Sequence, residues 1–388
     1  FDGNKFVNQA FKNGASISIN ENIQKNKAKN EICVKNSLKT FSEIAKLVRV
    51  SSNISSVAVT GSAGKTSLKE MLGQMISKLC KTTYSKNSFN NKYGVPISLF
   101  NINNNDNIGI FEVGMDKKGE IDFLTKKIIP NVGVITNISY AHIKNFKNLK
   151  GIAQAKSEII NNILDGGSII LNADDQFFKF FKTKSIKKKL RIISFGIKKK
   201  SNVKLIRIKK EKLNTILFIN HNTKLLKFII KKPLENYIFN ILSTLAVISV
   251  YFDINKLDKS FFNDYQFPEG RGDMNLINLK KKKINLIDES YNSNPLSLKF
   301  ALSKLSNLKT YSKRKIILLG DMLELGKYSK KLHMEVADLI NKSKIDKVYV
   351  YGEEVIETFN KIRPQKRGKI LNSKKDILNF IINDIKNG

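Results

Sequence analysis

Lys65 and Thr66 are the residues of this chain best suited to handling phosphate. They follow a turn, Gly61-Ser62-Ala63-Gly64, and the turn follows a β-branched apolar run, Val57–Val59. Beyond Ser67, the spacing of Leu68, Met71, Leu72, Met75 and Ile76 predicts a helix, and the run before the turn reads as a buried strand. Strand, glycine turn and helix N-terminus together make a phosphate cradle. Glycines let backbone N–H groups approach the oxygens, and the helix end favours an anion. Lys65 adds a point charge, and the Thr66 hydroxyl suits Mg²⁺. The spacing, GxxGKT, is two residues tighter than the common GxxxxGKS/T loop. The position between strand and helix, more than the pattern, carries the reading of a nucleoside triphosphate site.

Further groups fall where such a site would need them. Glu112 ends the apolar run Ile108–Phe111, the place where an acidic residue meets Mg²⁺ beside a phosphate loop. His142, one of three histidines, lies just after the strand expected at Val132–Thr136, at the sheet end where ligands gather. Asp288-Glu289-Ser290-Tyr291-Asn292 follows the apolar run Ile284–Ile287 and could reach across a cleft, as could Arg271 toward a phosphate oxygen. Arg271-Gly272-Asp273 also spells an adhesion tripeptide, a meaning given no weight here. Lys156 sits in a helical pattern, and its spacing alone reads as a solvated face.

The elements that must position these residues repeat an α/β cadence. Residues 1–48 offer a strand at Glu31–Val34 and a helix through Phe41, Ile44, Ala45 and Val48. After the phosphate-loop helix come a polar loop at 85–96, helices near 119–128 and across 149–164, and strands at Ser168–Leu171 and Arg191–Phe195. Residues 202–232 read as an antiparallel hairpin excursion with a turn near 220–223, followed by helices near 238–251 and 255–263. Phe267–Gly270 reads as a linker. Beyond it strands near 274–279, 284–288, 315–319 and 347–351 alternate with helices from Pro295, across 329–341 and near 374–386. This cadence predicts a mostly parallel, doubly wound sheet and a second, smaller α/β domain.

With 388 residues, 41% hydrophobic and 26% charged, the chain is long enough for two or three domains with real cores. No apolar run approaches the roughly 18–20 residues of a membrane span. The first residue is Phe, and the chain is expected to continue at both ends. Cys33 and Cys80 cannot make a disulfide framework and fit a reducing cytoplasm. The net charge of +36 invites nucleic acid as a partner. Runs such as Lys187–Lys189, Lys198–Lys200 and Lys280–Lys283 fall at expected turns, however, and no stripe interleaves arginines with stacking aromatics. A solvated basic surface that tolerates anionic substrates fits better, with no nucleic-acid partner.

Taken in order, FDGNKFVNQAFKNGA, VTGSAGKTSLKEM, FNNKYGVPISL, EVGMDKKGEI, TNISYAHIKNF, GIAQAKSEI, LIDESYNSNP and LGDMLELG resemble the Mur ligases. The loop form is shared with folylpolyglutamate synthases, whereas FNNKYGVP, DESYNSNP and GDMLELG together resemble the branch that adds D-alanyl-D-alanine. The resemblance implies a three-domain α/β architecture: a partial N-terminal UDP-substrate domain at 1–48, a central ATP-binding P-loop domain at 49–268, and an incomplete C-terminal Rossmann-like domain at 269–388. It implies ATP and Mg²⁺ as cofactors. Gly61, Ser62, Ala63, Gly64, Lys65, Thr66 and Ser67 would hold the phosphates. Thr66 and Glu112 would serve one Mg²⁺ and His142 a second, with Lys156 matching a lysine commonly carbamylated in the family. Asn240 would contact adenine, and Arg271, Asp288 and Tyr291 would face ATP. Lys65, Glu112, His142 and Lys156 would carry the chemistry. The implied reaction is cytoplasmic ATP-dependent joining of D-alanyl-D-alanine to UDP-N-acetylmuramoyl-tripeptide by a monomer. Departures are Asn236-Tyr237 in place of the usual His-Asn, Ser88 in place of a common Asn, and the missing Lys-Gly-Ser-Arg stretch. The alternatives are a sibling ligase of the same superfamily or a basic P-loop nucleic-acid ATPase.

Overall fold

The computed structural model describes residues 2–21, 30–279, 282–308 and 314–385. At the N-terminal end, β1 (Ser18–Asn20) and β2 (Glu31–Cys33) pair in parallel, and helix Ser37–Ser51 leads into the central sheet. That sheet contains β3 (Ser55–Thr60), β4 (Thr82–Tyr84), β5 (Ile108–Glu112), β6 (Val132–Ile135), β7 (Ser168–Asn172) and β8 (Arg191–Gly196). It continues through β9 (Val203–Lys210), β10 (Asn214–His221) and β11 (Lys224–Lys231). Its nine strands run in the order β11-β10-β9-β8-β7-β6-β3-β5-β4. β3 pairs in parallel with β5 on one side and β6 on the other, so chain connections leave it in both directions. This is the switch point at which open α/β sheets bind ligands, beyond the carboxyl ends of the strands.

Strands β3, β5, β6 and β7 are buried along nearly their whole length because helices cover both faces, whereas β9 and β11 carry exposed lysines. Alternation still sorts them: Val57 and Val59 point into one core, Ala58 into the other. Helices Lys65–Ile76 and Ile238–Tyr251 pack on the first face, and Ser37–Ser51, Gly94–Phe100, Glu120–Ile128 and Leu149–Lys156 on the second. The second core runs on into the C-terminal unit through Met322 and Leu325. There β14 (Ile316–Gly320), β15 (Lys347–Tyr351) and β16 (Arg367–Ile370) form a three-stranded parallel sheet. Before it in sequence, β12 (Asp273–Leu279) and β13 (Lys282–Asp288) form an antiparallel hairpin of their own.

Several expectations need correction. The polar loop is shorter than 85–96, since a helix starts at Gly94, where the Asn91 side chain accepts the N–H groups of Tyr93 and Gly94. The helix across 149–164 is interrupted at Ser157, whose hydroxyl donates to Gln154 O at 2.6 Å. Residues 202–232 form three strands, joined to the main sheet by parallel β8–β9 pairing. The helix near 255–263 is only a 3₁₀ turn at Ile254–Lys256, because the Asp253 and Asp258 carboxylates capture nearby N–H groups in local turns. Strand β16 and helices Phe178–Lys187 and Ile356–Lys361 are additional. The last helix spans Lys374–Asn379 and relaxes into a π turn at Phe380–Asp384, and Lys386 lies outside the described residues, as do Lys280 and Lys281.

Lys232–Tyr251 spans 20 residues with a mean hydropathy of 1.2, long and apolar enough by composition to cross a membrane. Lys232 and Glu235 hide this stretch from a search for an uninterrupted apolar run. In the fold its Ile241, Leu242, Leu245 and Ala246 are fully buried against the phosphate-loop helix and the sheet.

Arg49 fastens helix Ser37–Ser51 to the sheet. Its buried guanidinium donates to Ile128 O at 2.8 Å, Ser56 Oγ at 2.9 Å and Ile129 O at 3.2 Å. Arg49→Met leaves these acceptors short of a donor and is expected to cost about 2 kcal/mol of stability. A lower urea midpoint at unchanged slope would report it.

Candidate active site

The glycine turn after β3 is shaped by a close approach. Gly61 has φ +151°, and a Cβ there would lie 1.8 Å from Thr136 Oγ1. Gly64 has φ +78° and caps the helix that begins at Lys65. The segment after β6 holds the turn from behind. Ala63 N–H donates to Asn137 Oδ1 at 3.0 Å, while Asn137 Nδ2 and Thr136 Oγ1 donate to Ala63 O at 3.0 and 2.8 Å. Ser62 and Ser139 exchange hydroxyl–backbone bonds at 3.0 and 2.8 Å. Lys65 folds back over the loop and donates to Gly61 O at 3.1 Å. Burial pulls its ammonium below the usual lysine range, Glu112 opposes that shift, and Arg271 adds to it.

Beside the loop, Thr66 Oγ1 donates to Glu112 Oε2 at 2.7 Å, and both side chains are buried. Asn90 Nδ2 donates to the other carboxylate oxygen at 2.7 Å, and Ser88 Oγ lies 3.3 Å from Thr66 Oγ1. A hydroxyl and a carboxylate are the hard oxygen donors that Mg²⁺ takes, so this pair fits one Mg²⁺. Lys69, fully buried, donates to Ser85 O at 2.6 Å and Asn87 O at 2.8 Å and so holds the loop that presents Ser88 and Asn90. Sequence reasoning missed Asn90 and Lys69. Their only signal was membership of the FNNKYGVP and GKTSLKEM stretches.

His142 and Lys156 lie near Lys65. His142 adopts a left-handed backbone, φ +59°, and its Nδ1 approaches Asp116 Oδ1 at 3.1 Å and Glu324 Oε2 at 2.5 Å. Burial lowers the imidazole pKa, Glu324 and Asp116 oppose this, and Lys65 and Lys156 reinforce it. Lys156 is not on a solvated face: it is 1% exposed and has no hydrogen bond or ion pair among the described residues. Burial first, and then the Lys65 charge, hold its pKa well below the ordinary lysine value. A neutral amine is the form that adds CO₂, and a carbamate there would add oxygen donors for a second Mg²⁺ to the Asp116 and Glu324 carboxylates at His142.

A cleft of about 480 Å³ opens from the glycine turn toward the C-terminal unit, lined among others by Gly64, Asn137, Asn240, Arg271, Glu289 and Tyr291. The Arg271 guanidinium stacks over the Tyr291 ring at 4.3 Å and donates to Ser88 Oγ at 3.2 Å. Asn240 Oδ1 faces Gly64. Asp288 does not belong to this lining. Its carboxylate turns back to accept Ser290 N–H at 2.8 Å, and Glu289 and Asn292 occupy the cleft wall instead. Tyr237 donates to Arg271 O at 2.7 Å and ties the linker to the cleft floor.

The buried Lys156 amine has a consequence for stability. Between its lowered folded value and the unfolded value of 10.5, the unfolded chain binds a proton there that the folded chain does not. Folding is therefore penalised increasingly as pH falls from 10.5 toward the folded value. In CO₂-free buffer, Lys156→Met is expected to stabilise the protein at about pH 7, with a gain that shrinks toward about pH 10. Calorimetric melting across that range measures it, and a gain independent of pH would contradict it.

Comparison with known proteins gives two family matches that cover most of the chain: the Mur ligase middle domain over residues 59–248 and the Mur ligase, glutamate ligase domain over residues 274–388. A UDP-N-acetylmuramoyl-tripeptide--D-alanyl-D-alanine ligase from Buchnera aphidicola subsp. Baizongia pistaciae is 31% identical over 355 residues, 91% of this chain and 75% of that protein. Among solved structures, MurF from Acinetobacter baumannii superposes with a TM-score of 0.87 at 26% identity, covering 99% of this chain and 82% of that one. MurF ligase from Thermotoga maritima, solved in complex with ADP, shares the fold with a TM-score of 0.83 at 24% identity, over 100% of this chain and 87% of that one. Similarity of this extent, over a phosphate loop at the switch point of the same fold, makes the chain a member of the Mur ligase family.

Proposed function

We propose that this chain is the ATP-dependent ligase that joins D-alanyl-D-alanine to UDP-N-acetylmuramoyl-tripeptide in cytoplasmic peptidoglycan precursor synthesis, acting as a monomer. The relatives that match over nine-tenths of the chain bear that name, which supports the substrate pair. The observation that carries the chemistry is the convergence of the Thr66–Glu112 pair and the buried Lys156 amine on Lys65. Within this reading, residues 1–48 belong to the UDP-substrate domain, 49–268 to the ATPase and 269–388 to the domain that receives the dipeptide.

The γ-phosphoryl group of ATP passes to the terminal carboxylate of the tripeptide, giving an acyl phosphate and ADP. The dipeptide amine then attacks the acyl carbon, and phosphate leaves from the tetrahedral intermediate. Both steps gather negative charge, which the N–H groups of residues 64–67 and the Lys65 ammonium are placed to stabilise, those of Ser62 and Ala63 being taken by Asn137. Arg271, stacked on Tyr291, holds a phosphate oxygen from the opposite wall. Asn240, beside Gly64, sits where the nucleoside would lie. Thr66 and Glu112 hold Mg²⁺, and His142 with a carbamylated Lys156 holds a second; the ions neutralise phosphate charge when bound. Closure of the C-terminal unit keeps water from the acyl phosphate.

Phosphate release should require both UDP-N-acetylmuramoyl-tripeptide and D-alanyl-D-alanine. Lys65→Ala is expected to lower it by at least about 10²-fold in a protein that still folds. Release with a single amino acid would move the chain to a sibling ligase. Release driven by DNA or RNA and lost steeply with salt would support the nucleic-acid ATPase instead.

A further inference from the structure

Helix Pro295–Asn307 buries a lysine on the side that also buries its leucines. Its buried side chains are Leu298, Leu302 and Lys304, the last only 5% exposed. A cation in that place costs desolvation unless its partners compensate. Its Nζ donates to Gly272 O at 2.7 Å and lies 3.6 Å from Glu289 Oε1, with the centre of the Tyr237 ring 5.8 Å away. Lys304 has no part in the chemistry above.

The carbonyl that Lys304 holds belongs to the linker between the two units. Gly270 and Gly272 have φ of +67° and +90°, and Arg271 lies between them. Glycine on both sides gives a bend with little stiffness of its own, so its course is set by what it is bonded to. Two successive carbonyls are held by side chains from opposite units. Tyr237 OH donates to Arg271 O at 2.7 Å from the central unit, and Lys304 Nζ donates to Gly272 O from the C-terminal one. Gly272 N–H donates to Asp288 O at 2.6 Å. The packing is close: a Cβ on Gly272 would collide with Lys304 Nζ, Glu289 Oε1 and Tyr237 OH. From this backbone the Arg271 side chain runs over the Tyr291 ring to Ser88 Oγ, its one hydrogen bond among the described residues. A guanidinium has five N–H donors, so most remain for an anion.

We infer that Lys304 is a positioning residue: by holding the Gly272 carbonyl it fixes the linker bend that aims the Arg271 guanidinium across the cleft at a nucleotide phosphate. The phosphate rests on the ATP-dependent reading of the site; the link between Lys304 and Arg271 does not.

Lys304→Met removes the donor and keeps an unbranched side chain, and Lys304→Leu matches the leucines already on that side of the helix. Each should weaken binding of the non-hydrolysable analogue AMP-PNP with Mg²⁺, measured by titration calorimetry, by about 10-fold. In an Arg271→Ala background the same substitutions should add less than about twofold, because the two residues act as one unit. An affinity unchanged by either variant would overturn the inference. So would a larger added loss beside Arg271→Ala, since a lysine that touched the ligand, or only stabilised the fold, would act without the arginine. A second readout needs no ligand. With ¹³C-labelled arginine, the Arg271 signals, displaced by the Tyr291 ring and assigned by their loss in Arg271→Ala, should move in both Lys304 variants. Arg49 in the central unit and Arg367 in the C-terminal one, each bonded to backbone carbonyls, should stay in place. Unmoved Arg271 signals would overturn the inference. If the wild-type chain did not bind AMP-PNP, the ATP-dependent reading would fail, and the arginine spectra would still decide whether Lys304 sets Arg271.

Discussion

The site depends on the bonds that Thr136 and Asn137 make to Ala63. Asn137 gives one bond to the Ala63 carbonyl and takes one from its N–H, and Thr136 adds a third. These bonds lock the turn after β3 to the segment after β6, its neighbour in the sheet. The approach is close enough that residue 61 must be glycine. The same segment after β6 goes on to carry His142. The donors that face a phosphate are thus set before any ligand arrives, and such preorganisation makes them effective.

Around that frame the charges are arranged with a surplus of cations. Lys65, Lys156 and Arg271 face the same region, while the nearest buried carboxylate, Glu112, is already engaged by Thr66 and Asn90. Burial depresses Lys65 and Lys156, Arg271 lowers Lys65 further, and Lys65 lowers Lys156 further. Anionic phosphates and carboxylates supply what the site lacks. The basic surface is consistent with anionic substrates but is not needed to explain the site, which draws its specificity from a few buried groups.

The C-terminal unit touches the central one on both sides of the cleft. On one side, Arg271 reaches Ser88 while Tyr237, packed against Phe267 at 5.0 Å, holds the Arg271 carbonyl. On the other, the turn at Asp321–Gly326 lies on residues 143–147, and the Tyr140 and Tyr328 rings meet at 5.8 Å. Tyr237 thus serves as a brace at the linker.

Sequence alone determined what depends on local order. The strand–turn–helix of residues 57–76 was legible because glycine spacing, apolar periodicity and a Lys-Thr pair act within a few residues of one another. Glu112 and His142 were legible for the same reason, since each ends or follows an apolar strand. Family resemblance added Lys156, whose spacing read as solvated, and it added Asp288, whose carboxylate the structure turns away. Tertiary structure alone decided that Lys156 is buried, that Asn90 and Lys69 support Glu112, and that Glu324 meets His142 from 182 positions away in the chain. Those pairings carry no periodic signal. They arise because β3 lies between β5 and β6 and because the C-terminal unit folds back on the sheet, and burial and charge proximity exist only after that assembly.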